Sequence, residues 1–171
     1  ISAAGLAAAS GDEGLVIVDC RHDLARPDAG EAAWRDGHLP GALFMHLDRD
    51  LSAPKTGRNG RHPLPAPADF AALLGRLGIT PQHRVVACDD AGGMFAARLW
   101  WMLRWIGHAE AAVLDGGLAA WLAAGGALDT RVRVLPACRY PVGAVAPTVD
   151  AACVLAGLND GARLLVDARA P

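Results

Sequence analysis

Residues 84–121, RVVACDDAGGMFAARLWWMLRWIGHAEAAVLDGGLAAW, constrain the fold more than any other part of the chain. The stretch opens with Val85-Val86-Ala87-Cys88, an apolar run of strand length. A polar turn with two glycines, Asp89-Asp90-Ala91-Gly92-Gly93, follows it. A long apolar segment, 94–106, then runs to a stop at Gly107. A second short run, 111–114, leads into Asp115-Gly116-Gly117 and a helical segment carrying Trp121. Strand, loop and helix thus occur twice in succession, which predicts parallel strands joined by right-handed helical crossovers, an α/β fold. Ligands of such sheets bind at the carboxyl ends of the strands. The loop 89–93 lies at such an end and opens a helix N-terminus, where backbone amides favour an anion. Its shape is that of an anionic active site, yet it offers no nucleophile, and its two carboxylates would repel an anion.

Composition narrows the classes. The 171 residues predict one domain with room for an appendage. Hydrophobic residues make up 53%, enough for a sizeable core. A net charge of −2 gives no electrostatic case for nucleic acid or an anionic membrane. No apolar run approaches the roughly 20 residues of a bilayer span. The first residues, Ile1-Ser2-Ala3-Ala4, lack the basic and apolar regions of a secretory signal, and a start at Ile1 reads as a trimmed chain. Cys20, Cys88, Cys138 and Cys153 show neither CxxC nor metal spacing, so we expect reduced thiols and a cytoplasmic protein.

Taken in order, residues 2–9 read as a short helix and 15–18 as a strand buried on both faces. Residues 29–35 form a short helix, Gly37-His38-Leu39-Pro40-Gly41-Ala42 a turn, and Leu43-Phe44 a short strand. Residues 48–67 are polar and rich in Gly, Pro and Arg, a surface loop of a length that is usually functional or disordered. Phe70, Leu73, Leu74 and Leu77 fall at helical spacing. Residues 128–147, with Pro136, Pro141 and Pro147, read as an extended linker, and Thr148 or Asp150 as the cap of a helix ending at Gly157. The chain then repeats its own opening: Leu15-Val16-Ile17-Val18-Asp19-Cys20-Arg21 returns as Leu164-Leu165-Val166-Asp167-Ala168-Arg169. We therefore expect a domain at 1–127, an interdomain linker at 128–147, and the start of a second, similar domain at 148–171.

Three motifs carry a resemblance to a known family. Asp19-x-Arg21, Gly37-His38-Leu39-Pro40-Gly41-Ala42 and Leu114-Asp115-Gly116-Gly117-Leu118-x-x-Trp121 resemble, in order and spacing, those of the rhodanese family, specifically the N-terminal half of tandem-domain sulfurtransferases. The resemblance implies a parallel five-stranded sheet flanked by helices, with the first strand of a second rhodanese domain at the C-terminus. It implies transfer of a sulfane sulfur from 3-mercaptopyruvate or thiosulfate to a thiol or cyanide acceptor through a cysteine persulfide, with no metal or organic cofactor. The position of the persulfide cysteine is taken by Asp89, so this domain is expected to be silent and the reactive cysteine to lie beyond Pro171. The resemblance also assigns Asp48 and His62 to a relay that polarises a serine of the second domain's catalytic loop; the alternative for His62 is a solvated loop residue.

The remaining candidates read as structural. Cys88 ends a buried strand, and the neighbouring Asp89 and Asp90 disfavour its thiolate. His38, between Gly37 and Leu39-Pro40, reads as a hydrogen-bonding turn residue, and Asp19 with Arg21 as a pair bracing loops. Trp100, Trp101 and Trp105 indicate core or interface packing. Arg98 and Arg104 lie about 240° apart on a helical wheel and cannot form one anion clamp. The first rival to an enzyme is a non-catalytic rhodanese module used for binding or regulation. A phosphatase of related fold is the second, but the nine residues between Cys88 and Arg98 do not fit it.

Overall fold

The computed structural model of the chain describes residues 1–158, 161 and 164–166. Four strands, β1 (Leu15–Asp19), β2 (Leu43–Phe44), β3 (Arg84–Cys88) and β4 (Ala111–Val113), form one sheet in the order β2-β1-β3-β4. Every pairing is parallel, with Leu15 beside Arg84 and Asp19 beside Cys88. The helices are α1 (Ala3–Ala8), α2 (Ala29–Asp36), α3 (Pro67–Arg76), α4 (Met94–Trp105), α5 (Gly117–Ala123) and α6 (Ala151–Ala156).

The apolar strand runs are explained by a core on each face. Successive side chains of a strand point to opposite faces. Val16, Val18, Val85 and Ala87 accordingly join Phe70 and Leu74 of α3 and Leu99 and Met102 of α4 on one side. Leu15, Ile17, Val86 and Cys88 join Leu6 of α1 and Trp121 of α5 on the other. Short caps set the first and last helices: Ser2 accepts from the Gly5 N–H, and Asp150, not Thr148, accepts from the Cys153 N–H. Among the described residues no helix is long and apolar enough to cross a membrane.

One expectation is corrected: the sheet has four strands among the described residues, not five. Among the described residues after α5 the chain makes a single antiparallel bridge, Asp129 to His38, and no ladder. Pro136, Pro141 and Pro147 lack the N–H that a ladder needs. Instead, 128–147 lies over the domain as a strap, tied by isolated bonds: Arg133 Nη1 to Leu15 O, Cys138 N to Gly75 O and Ala146 N to Trp105 O, each 2.8 Å. Tyr140 on this strap is buried in the first core. Residues 164–166, expected to open a second domain, form no strand with this sheet and are exposed. A strand requires neighbours for its backbone groups, and the first sheet supplies none to this run. Asp167, Ala168 and Arg169 of the repeat lie outside the described residues.

Candidate active site

The strand end at β3 and the loop after β2 both come to the N-terminal end of α4. Asp89 follows β3 and is 1% exposed. Its Oδ1 accepts from the N–H of Ala91 (3.0 Å) and Gly93 (2.8 Å), and its Oδ2 from Phe95 (2.8 Å) and Ala96 (2.9 Å). The anion expected at this helix start is thus the protein's own carboxylate. Gly93, at φ 90°, supplies the left-handed turn into α4. Gly117 lets α5 approach: a Cβ there would lie 2.3 Å from the Asp89 carbonyl oxygen, which accepts from the Leu118 N–H. This explains why the late Gly-Gly motif and the Asp89 loop occur together.

Cys88 points away from the loop into the second core, 1% exposed. Burial pushes its thiol well above the usual range; Asp19, Asp89 and Asp90 add to this and Arg21 opposes it. Cys88 therefore holds a thiol rather than a nucleophilic thiolate. The Asp19–Arg21 pair is a brace: Arg21 Nε donates to Asp19 Oδ2 at 2.9 Å, and its Nη2 donates to Gly37 O at 2.7 Å. It ties the end of β1 to the Gly37 turn, joining the two early motifs. His38 is wholly buried, stacked on Trp34, with its ring nitrogens 2.7 Å from Trp34 O and 3.2 Å from Arg131 O. Trp105 is core, whereas Trp100 and Trp101 are partly exposed.

The loop 48–67 folds back on itself. Asn59 accepts from Thr56 N and donates to Pro54 O, and the Ala53 N–H donates to Pro63 O. Arg98 of α4 clasps both ends, its Nη2 donating to Leu51 O (2.9 Å) and His62 O (3.2 Å). Arg104 caps a separate turn at Ala109 O, so the two arginines do not converge. At the start of the loop, His46 Nδ1 accepts from the N–H of Asp48 (3.1 Å) and Arg49 (3.3 Å).

The closure brings Asp48 and His62 together, His62 Nε2 lying 3.4 Å from Asp48 Oδ1. Lys55 Nζ is 2.9 Å from the same oxygen, and His22 Nε2 is 3.9 Å from Oδ2. Lys55 holds the Asp48 carboxyl below the usual carboxylate range, with burial opposing and the two histidines adding to the effect. Burial lowers His62 below the usual imidazole range; Asp48 works against this, and Lys55, Arg61 and Arg98 work with it. His22 is lowered in the same way, by burial and then by His46. An Nε2–H facing the carboxylate leaves Nδ1 of His62 as the lone-pair nitrogen, a general-base arrangement. His22 and Lys55 were not singled out in the sequence; the position of His22, directly after the Asp19-x-Arg21 motif, was the available signal. Beside this cluster a cleft of about 710 Å³ opens between α2 and α4, lined by Arg21, His22, Asp90, Met94 and Phe95.

A four-stranded parallel sheet with flanking helices, an amide-lined loop after its central strand and the three motifs around it define a rhodanese-like domain. The chain belongs to that family: the description "Rhodanese-like domain" matches residues 2–124. It is 43% identical over 173 aligned residues to the "Probable 3-mercaptopyruvate sulfurtransferase" of Pseudomonas aeruginosa, covering 99% of this chain and 61% of that protein. It is 38% identical to the "Thiosulfate sulfurtransferase" of the same organism, covering 86% of this chain and 48% of that one. In structure it is similar to the 3-mercaptopyruvate sulfurtransferase SseA of Escherichia coli, with a TM-score of 0.86 and 29% identity, covering 99% of this chain and 65% of that one. The chain thus spans less than two thirds of the length of these relatives.

Proposed function

We propose that this chain is the N-terminal, donor-activating half of a tandem-domain sulfurtransferase that takes sulfur from 3-mercaptopyruvate. The observation that carries the reading is the Asp48–His62 pair on a loop clasped by Arg98, in a domain whose own strand-end loop is closed by Asp89. The reactive cysteine lies in a second domain beyond this chain. Its thiolate attacks the donor's sulfur, the C–S bond breaks, and the sulfur remains as a persulfide while pyruvate leaves as its enolate. The enolate takes up a proton to become pyruvate. The donor's thiol proton passes through a serine hydroxyl of the second domain to neutral His62 and returns by the same path to the enolate carbon; Asp48 holds the imidazole in the required tautomer. A thiol or cyanide then removes the persulfide sulfur.

Thiosulfate cleaves at an S–S bond and releases sulfite, which needs no proton. In the full-length protein, His62→Ala should therefore cut turnover of mercaptopyruvate by roughly 10²–10⁴-fold and leave thiosulfate turnover nearly unchanged. Equal losses with both donors would reduce His62 to a loop brace. The occupied Asp89 cradle also favours a second reading, a rhodanese module used for binding or regulation. The absence of turnover with either donor in the full-length protein would select it.

A further inference from the structure

We propose that His22, Asp48 and His62 form a binding site for a divalent transition metal ion of the zinc class. One nitrogen of each histidine and one Asp48 oxygen all lie within 4.8 Å of one another. Two of the approaches are 3.4 Å, for His62 Nε2 to Asp48 Oδ1, and 3.9 Å, for His22 Nε2 to Asp48 Oδ2. Zinc bonds of about 2.0–2.1 Å put tetrahedral ligand atoms about 3.3 Å apart, so a cluster within 4.8 Å must contract by at most about 1.5 Å. Two imidazoles and a carboxylate are a donor set for zinc, nickel, copper or iron rather than for magnesium or calcium, and leave an open coordination position.

The three ligands differ in mobility in a way that suits capture. The His22 side chain is 1% exposed and packs edge-on against Phe95 and His46, so it is a fixed donor. Asp48 and His62 sit on the loop and can close toward it. Lys55 is the competitor, its ammonium 2.9 Å from Asp48 Oδ1. Half-exposed on the same loop, it can swing into solvent when a doubly charged ion arrives. A bound metal takes both residues of the proposed relay out of proton transfer, so on the proposed function zinc acts as an inhibitor of mercaptopyruvate turnover. The binding itself does not rest on that reading.

The test is titration of the chelator-treated chain with Zn²⁺ by calorimetry and with Co²⁺ by visible absorption. We expect one saturable ion per chain and a Co²⁺ spectrum of nitrogen and oxygen ligation without a thiolate charge-transfer band. Loss of a group supporting a ligand commonly costs 10–100-fold in affinity, so loss of a ligand in His22→Gln should weaken binding by at least about tenfold. Lys55→Ala should strengthen it. His83→Gln, altering a histidine outside the cluster, should leave it unchanged. No saturable binding below millimolar metal, a thiolate spectrum, or equal affinity in His22→Gln would overturn the site. In the full-length protein, zinc should inhibit mercaptopyruvate turnover, and His22→Gln should raise the zinc concentration needed for half-inhibition by at least about tenfold. If zinc binds but does not inhibit, the relay reading fails while the metal site stands.

Discussion

The carboxylate of Asp89 accepts the N–H of Phe95 at 2.8 Å, and this bond closes the first turn of α4 onto the end of β3. Three further amides, from Ala91, Gly93 and Ala96, turn on the same side chain. The loop that a catalytic rhodanese-like domain would turn toward substrate is here organised around an internal anion.

Asp89→Ala should therefore act on stability. It strands four amides, each worth about 1–3 kcal/mol when left unsatisfied in a buried setting, less where water can enter the loop. We expect a loss of about 3–5 kcal/mol in urea unfolding. Asp89→Asn should recover part of it, since its carbonyl still accepts while its amide opposes the loop's donors. A loss under about 1 kcal/mol would mean that the loop holds its shape without the carboxylate.

Much of this was legible in the chain, for identifiable reasons. The runs Leu15-Val16-Ile17-Val18 and Val85-Val86-Ala87 announced β1 and β3 because both faces of those strands are buried. Gly93 and Gly107 marked the limits of α4, where the backbone takes φ of 90° and 85°. Asp48 and His62 came from motif resemblance, since nothing in local periodicity says that residues 14 positions apart meet across a loop. His22 was missed because its neighbours belong to a distant loop. The strap 128–147 read as a linker because its ties are single backbone bonds without a period. That the Asp89 carboxylate turns inward to its own amides depends on backbone geometry that composition does not encode.

The strap is anchored at Tyr140, whose hydroxyl lies 2.8 Å from His108 Nδ1, while His108 Nε2 lies 3.0 Å from His83 O. These contacts fit a neutral imidazole that accepts from Tyr140 and donates to His83. Tyr140→Phe leaves Nδ1 unmatched and should cost about 1–3 kcal/mol. Burial lowers the His108 pKa below its ordinary 6.5. The unfolded chain then binds the proton more readily, so this contribution is full above about pH 6.5 and is lost as pH falls through the folded value. Urea midpoints that fail to fall as pH is lowered from about 6.5 through that window in the parent chain would remove His108 as a stability determinant.

Leu164, Leu165 and Val166 stand exposed beyond α6, although their sequence copies the buried β1. On the reading that they open a second domain, their amides lack the neighbours that protect a strand. Hydrogen exchange on this chain should be fast at 164–166 and slow at Val85, Val86 and Ala87. In the full-length protein, 164–166 should become protected. Continued fast exchange there would show that the repeat forms no second sheet.

The last prediction concerns the pH at which the proposed relay works. His62 must be neutral to accept a proton, and burial already lowers its pKa below 6.5. Activity with mercaptopyruvate should therefore rise with pH along a limb below 6.5 and reach its plateau by neutral pH, as read in kcat/KM for the free enzyme. Lys55 contributes to that depression, and it also neutralises Asp48, which pulls the other way on His62. Removing the lysine takes away a repulsion and unmasks an attraction, so both changes favour the imidazolium. Lys55→Ala should move the acid limb to higher pH, leaving turnover above the limb unchanged. The limb should be absent with thiosulfate, which needs no proton from this site. A limb common to both donors would assign the titration to the attacking cysteine or the acceptor step, and an unmoved limb in Lys55→Ala would separate it from His62.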